Sequence, residues 1–119
     1  MDIVRIDKIF PHQPPEIDDG NREYKLKLHN YSKIHKIASQ LRYRLYEGDG
    51  KALYILGVSD SGKSWGVEFN DLNKSLKYLQ QACSDLSRDS GEIVEINKIR
   101  VYQGICPDYF IATVRVVKN

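Results

Sequence analysis

An eight-residue stretch, residues 57–64, satisfies the phosphate-loop pattern G-x-x-x-x-G-K-S. Its defining positions are Gly57, Gly62, Lys63 and Ser64. A loop of this kind cradles phosphates when it runs straight into a helix, whose first backbone N–H groups then face the anion. Here the sequence continues W-G-V-E-F, which is poor helix material, and the next helical pattern starts only near residue 71. We therefore expect a polar hairpin turn in which Gly62 supplies a positive φ, and no nucleotide site.

Thiol, imidazole and carboxylate groups do not occur at catalytic or metal-binding spacings. Cys83 and Cys106 are far apart, and we expect two free thiols. His29 and His35 are joined by no cysteine or paired carboxylate at a zinc-like spacing. We expect no catalytic residues, no metal and no cofactor.

Several carboxylates surround a turn signal and the start of a strand pattern. They are Glu16, Asp18, Asp19 and Glu23. Charged groups in such a place are usually solvated, and we expect these to face water.

Basic residues concentrate around the first strand and first helix of the pattern. The residues concerned are Lys25, Lys27, Lys33, Lys36, Arg42, Tyr43 and Arg44. A basic face with an interleaved tyrosine can follow an RNA backbone and stack on a base. The alternative is an ordinary solvated helix surface.

Hydrophobic periodicity predicts the elements that would position these residues. Strands are expected at residues 22–28, 52–58, 64–69, 92–102 and 109–117, with a bulge near Asn97. The first helix is expected to begin after a cap among residues 29–32 and to end at residues 48–50, and the second helix to run from residue 70 or 71 to residue 90. The order β-α-β-β-α-β-β predicts a two-layer α+β fold, ferredoxin-like in outline, with both helices on one face of a mainly antiparallel sheet.

The first 21 residues differ from the rest, because their apolar residues have no sustained period and proline and turn residues follow. We expect an extended arm over residues 1–21, tied to the domain loosely or by one short strand, and one α+β domain over residues 22–119. The arm is either a floppy terminus or a segment that docks a partner through Ile9 and Phe10.

Composition limits the possible classes of protein. The 119 residues suit about one domain, and 41% hydrophobic residues exclude a largely disordered chain. A complete GTPase domain needs roughly 150 residues or more. Since 18 basic residues against 16 acidic ones leave a net charge of only +2, any basic surface must be local. No stretch is long and apolar enough to span a membrane, and we expect a cytoplasmic protein.

An ordered set of segments resembles the N-terminal region of the GTP-binding protein 1/2 family of elongation-factor-like translational GTPases. The segments are P-P-E at 14–16, D-G-N-R-E-Y-K-L-K-L at 19–28, Q-L-R-Y-R-L at 40–45, E-G-D-G at 47–50, A-L-Y-I-L-G-V at 52–58 and S-L-K-Y-L at 75–79. In that family this region precedes the GTPase domain, and the phosphate loop lies further along. The resemblance implies a noncatalytic module that works beside GTP-dependent translation and has no GTPase activity of its own.

The resemblance also implies the partners. They would be tRNA, rRNA or mRNA, or a ribosome-associated protein, together with a GTPase domain in cis or in trans.

Glu23-Tyr24-Lys25 and the glycines of residues 50–66 are, more weakly, similar to Schlafen/AlbA-type domains, some of which cleave RNA with clustered carboxylates and a divalent metal. Glu16 and Glu23 would then be metal ligands, but no third carboxylate is identifiable. The alternatives to an RNA-binding module are therefore a metal-dependent RNA nuclease and a protein-interaction domain that uses the arm and a sheet edge.

Overall fold

The computed structural model describes residues 2–28 and 33–119, which form one five-stranded sheet and two helices. The elements are β1 (Asp2–Ile9), β2 (Arg22–Lys25), α1 (Ile34–Glu47), β3 (Lys51–Leu56), α2 (Phe69–Ser90), β4 (Val94–Gln103) and β5 (Phe110–Lys118). The two-layer α+β architecture expected from the sequence is confirmed. No helix among the described residues is both long enough and apolar enough to cross a membrane.

The sheet has the strand order β1-β4-β5-β3-β2 and is mixed. β5 pairs antiparallel with β3 and β4, whereas β1 runs parallel to β4 and β2 parallel to β3. Two of the four strand pairings are thus parallel, where a mainly antiparallel sheet was expected; the β2–β3 pairing is parallel because α1 connects these strands as a crossover. The bulge expected near Asn97 is confirmed by a register shift between Ile96 and Lys98.

Both helices cover one face of the sheet, and their apolar stripes form the main core. Leu41 and Leu45 of α1 and Leu79 and Cys83 of α2 are buried against the helix-side residues of the central strands. Gly91, in the left-handed conformation, ends α2 as glycine usually does. The expected caps of α1, residues 29–32, lie outside the described residues.

The hairpin expected between residues 52–58 and 64–69 does not form. β3 has β2 on one side and β5 on the other, so it has no free edge for a returning strand. Residues 64 and 65 run instead beside residues 105 and 106 of the loop between β4 and β5, and Val67 forms an isolated bridge with Phe110 at the start of β5; α2 begins at Phe69. The two edges of β3 are filled by strands distant in sequence, which local turn signals do not reveal.

The segment between β1 and β2 crosses the face of the sheet that the helices leave open. This crossing is required because β1 and β2 lie at opposite edges. Phe10 packs there with Tyr24, Ile55, Val58 and Ile111 in a second, smaller core. Residues 2–9 of the expected arm are thus an edge strand, and the following segment covers one end of the open face.

Candidate nucleic-acid interface

Four of the lysines expected on a basic surface surround one groove. Lys25 and Lys27 come from β2 and the segment after it, whereas Lys33 and Lys36 come from the start of α1. The groove has a volume of about 340 Å³, and of the described residues Leu28, Ile37 and Gln40 also line it. We call these four lysines the lysine groove.

The buried Ser75 of α2 fixes one wall of this groove. Its hydroxyl accepts a hydrogen bond from the backbone N–H of Leu28 at 2.8 Å and lies 3.2 Å from the carbonyl oxygen of the same residue, to which it donates. β2 ends at Lys25, whose partner Leu56 is the last residue of β3. Beyond that point the backbone of Leu28 is held by the Ser75 hydroxyl instead of by pairing with a strand. The predicted strand over residues 22–28 is therefore shorter than expected.

The groove carries excess positive charge. The Nζ atom of Lys25 lies 3.5 Å from the Glu23 carboxylate, and that of Lys27 lies 3.6 Å from the Asp71 carboxylate. Within the described residues Lys33 and Lys36 form no ion pair, and both side chains are exposed. The first turn of α1 contains no acidic residue, although acidic side chains usually offset the positive end of a helix dipole.

Arg44 requires a correction, because it is buried and not part of a basic surface. Its Nε donates to Oε1 of Glu23 at 2.9 Å, and only a few per cent of either side chain is exposed. Its remaining guanidinium N–H groups donate to the carbonyls of residues 17–20. The helical spacing of Arg44 places it toward β2, where a carboxylate and four carbonyls satisfy its charge and its donors.

Arg42 and Tyr43 do not join the lysine groove. Arg42 lines a separate concavity with Tyr46 and the acidic residues Asp49, Asp89 and Glu92. The Tyr43 hydroxyl donates to the carbonyl of Asp18 at 3.0 Å. The seven residues expected to contact RNA or a partner thus occupy four different environments.

The phosphate-loop look-alike has the geometry of a turn braced by the N-terminal segment. Gly62 has φ +89°, as expected, and its carbonyl accepts a hydrogen bond from the N–H of Gln13 at 2.8 Å. The buried Ser64 donates its hydroxyl to the carbonyl of Pro11 at 2.6 Å. Residues 65–68 separate this turn from the start of α2, so the turn does not run directly into a helix as a phosphate loop does. Gly57 and Lys63 complete the pattern, and the Lys63 side chain is exposed.

The two residues of the expected docking arm face different environments. Ile9 is 63% exposed on the edge strand, whereas Phe10 is buried and packs against Tyr102 with ring centroids 4.9 Å apart. Phe10 therefore belongs to the packing of its own sheet.

The carboxylates considered for metal chemistry are held by the protein itself. Glu23, expected to be solvated, is 1% exposed, and this expectation was wrong because the buried Arg44 pairs with it. The Glu16 carboxylate accepts a hydrogen bond from the backbone N–H of Tyr24. Burial raises the pKa of Glu16. Among residues 2–28 and 33–119, no three histidine, cysteine, aspartate or glutamate side chains converge on a possible metal position.

A second basic surface, which the sequence reasoning missed, lies on the open face of the sheet. Arg22, Lys98, Arg100 and Arg115 line a concavity of about 270 Å³ there. The other described residues that line it are Phe10, Gln13, Leu53, Ile55, Tyr102 and Thr113. We call these four cationic residues the sheet-face cluster. None of the described side chains lining it is acidic, and none of its members forms an ion pair within the described residues.

Strand register places three of these cations in one row. Lys98 of β4 is directly opposite Arg115 of β5. Arg115 is in turn opposite Leu53 of β3, and Leu53 is paired with Arg22 of β2. Arg100 lies in the next row, opposite Thr113. The alternation of Lys98, Arg100 and Tyr102 with buried residues is visible in the sequence, but the pairing across strands is not.

The fold and these surfaces define a small two-layer α+β domain with two basic surfaces, one at the start of α1 and one on the open sheet face. In sequence, the chain is related to GTP-binding protein 2: it is 41% identical to the mouse and human proteins over 81 residues. The alignment covers 66% of this chain and 14% of each relative, so the chain spans a small part of their length. The resemblance to the GTP-binding protein 1/2 family is thereby confirmed. No family model matches the chain, and no solved structure matches it.

Proposed function

We propose that this chain is a noncatalytic RNA-binding module of the translation machinery, related to GTP-binding protein 2. The observation that carries the proposal is the lysine groove, a concavity beside the start of α1 that four lysines line. Such a groove suits the phosphate backbone, which supplies the electrostatic part of RNA binding. We place the module in the cytoplasm, with tRNA, rRNA or mRNA as its ligand.

The balance of charge in the groove supports this proposal. Two lysines keep carboxylate neighbours at 3.5 and 3.6 Å, which hold their side chains near the groove, and Lys33 and Lys36 bring charge without a described counterion. The dipole of α1 adds positive potential at the same place. Phosphate contacts of this kind position an RNA without reading its sequence.

GTP hydrolysis is not part of the proposal. The phosphate-loop letters form a turn whose Gly62 carbonyl and Ser64 hydroxyl already bond to residues 11–13. The name of GTP-binding protein 2 describes a protein of which this chain matches 14%.

A gel-shift titration against tRNA and an rRNA fragment tests the proposal, with and without Mg²⁺, at about 50 and 200 mM salt. We expect binding that weakens as salt rises and no cleavage. The double variant Lys33→Glu with Lys36→Glu should weaken binding at least about tenfold. A matched control, Lys8→Glu with Lys77→Glu, changes the charge equally at exposed residues outside both basic surfaces and should bind as the unmodified protein does.

Each other result contradicts the proposal. Mg²⁺-dependent cleavage of the RNA by the unmodified protein would identify a nuclease. An absence of binding at either salt concentration would leave a protein-interaction domain. Equal losses in the groove variant and in the control would show that only net charge matters.

A further inference from the structure

The sheet-face cluster is unusual because like charges face one another on interior strands. Lys98 and Arg115 are directly opposite in an antiparallel pair, an arrangement that destabilises a sheet, while the neighbour of Lys98 on its other side, in β1, is Asp2. Exposed cations often protect sheet edges from aggregation, but β4 and β5 both have neighbours on each side. Edge protection therefore does not explain these two residues.

The cluster adjoins aromatic side chains. Tyr102, half-buried, lies on the same face as Arg100, two residues away along β4, and its ring leans on Phe10 with an interplanar angle of 58°. Phe10 is fixed in turn by its N–H, which donates to the carbonyl of Gln103 at 2.9 Å. Tyr102 is therefore held in place by packing and does not need to be ordered by a ligand.

From this arrangement we infer a second RNA-binding surface, on the open sheet face, which selects single-stranded RNA. Arg22, Lys98, Arg100 and Arg115 neutralise phosphates, and Tyr102 offers an aromatic surface to an unpaired base. The row from β4 to β2 spans three strand spacings, about 14 Å, which suits an extended strand better than a single small anion. Cations beside aromatic groups on a sheet are the usual means of holding single strands, since a duplex hides its base faces.

This inference rests on the proposed RNA binding but uses other residues, so the two can be tested separately. Fluorescence anisotropy would compare a labelled single-stranded RNA of about 12 nucleotides with a blunt duplex of the same sequence. The sheet variant is Arg100→Gln with Arg115→Gln, the groove variant is Lys33→Gln with Lys36→Gln, and the control is Lys8→Gln with Lys77→Gln. Arg22→Gln, on the edge strand, provides a second sheet variant if the double variant does not fold.

We expect the sheet variant to bind the single strand about tenfold more weakly, while its affinity for the duplex changes little. The salt dependence of single-strand binding, the slope of log K against log salt, should become about 1.4 less steep because two phosphate contacts are lost. Tyr102→Leu, which keeps an apolar contact with Phe10, should weaken single-strand binding about tenfold with an unchanged salt slope. Thermal melting confirms that each variant is folded.

The remaining outcomes separate the two ideas. If the groove variant loses affinity and the sheet variant does not, the further inference fails and the proposed function stands. If the sheet variant loses single strand and duplex equally, selectivity for single strands is overturned. If the unmodified protein binds neither RNA, both fail.

Discussion

The guanidinium of Arg44 donates from Nε to Oε1 of Glu23 at 2.9 Å, and both side chains are buried between α1 and β2. The same guanidinium donates to the carbonyls of residues 17–20, which form the turn leading into β2. One side chain thus joins the helix, the edge strand and the end of the crossing segment. This makes the pair a structural element beside the lysine groove.

Arg44→Ala should lower the free energy of unfolding by about 3–5 kcal/mol, because it removes the guanidinium from four carbonyls and from a buried carboxylate that keeps only Lys25, at 3.5 Å. Arg44→Lys should recover little of that loss, since a lysine lacks the planar fork that reaches several acceptors. Urea denaturation measures both variants, with the exposed Arg42→Ala as the control. A loss below about 1 kcal/mol for Arg44→Ala would contradict this role.

Glu16 should give the protein a pH-dependent stability of a particular sign. Burial, helped by the nearby carboxylates Glu23 and Asp60, raises its pKa above the ordinary value of 4.5, although the N–H of Tyr24 donates to it. A carboxyl group that binds its proton more tightly when folded stabilises the protein fully below its ordinary pKa, and that contribution is lost as pH rises through the folded pKa.

Glu16→Gln keeps an acceptor for Tyr24 and removes the charge. We therefore expect the variant to be more stable than the unmodified protein at neutral pH, with the difference shrinking as the pH falls through the raised pKa and smallest below the ordinary value of 4.5. Urea midpoints across this range test the expectation. A difference that grows on acidification would mean that the pKa is lowered and not raised.

The Tyr54 hydroxyl is buried and has no hydrogen-bond partner among the described residues. Tyr54 lies in the main core between the sheet and the helices and has no exposed surface. Removing an unsatisfied polar atom relieves its desolvation cost, so Tyr54→Phe should raise the free energy of unfolding by about 1 kcal/mol. Tyr54→Leu, which also deletes ring atoms, should instead destabilise by about 2 kcal/mol or more. Thermal denaturation distinguishes the two, and destabilisation by Tyr54→Phe would reveal a partner for the hydroxyl.

Gly62 and Gly20 allow a matched test of the turn that resembles a phosphate loop. Both have positive φ, +89° and +86°, but a Cβ on Gly62 would lie 1.9 Å from the carbonyl oxygen of Gln13, whereas one on Gly20 would meet nothing within 4 Å. Gly20→Ala should cost roughly 1 kcal/mol for backbone strain alone, and Gly62→Ala roughly 3 kcal/mol. Equal losses would show that the crossing segment does not press on this turn.

Lys63→Ala serves as the functional control at the same place. The side chain is exposed, so stability should be unchanged. Calorimetric titration with GTP should detect no binding in either protein. Binding that disappears in Lys63→Ala would restore the phosphate-loop interpretation.

Much of the fold was predictable because local patterns encode it. The stripes of α1 and α2, the bulge near Asn97 and the positive φ of Gly62 follow from periodicity and turn chemistry, which depend on neighbours in the chain. The hairpin after β3 was mispredicted, since its failure depends on β2 and β5 taking both edges of β3. The alternation in residues 22–28 likewise concealed that Glu23 faces a buried arginine.

For the candidate sites, too, some features were predictable from the sequence and others depended on the tertiary structure. The sequence by itself determined a two-layer α+β domain, a relation to the GTP-binding protein 1/2 family and a concentration of lysines around β2 and α1. Only the tertiary structure decided that Arg44 is buried and joins α1 to β2 through Glu23. It also decided that Lys98, Arg115 and Arg22 lie in one row across the sheet. The physical reason is that periodicity specifies which way a side chain points from its own element, whereas strand order and register determine which distant charges it meets.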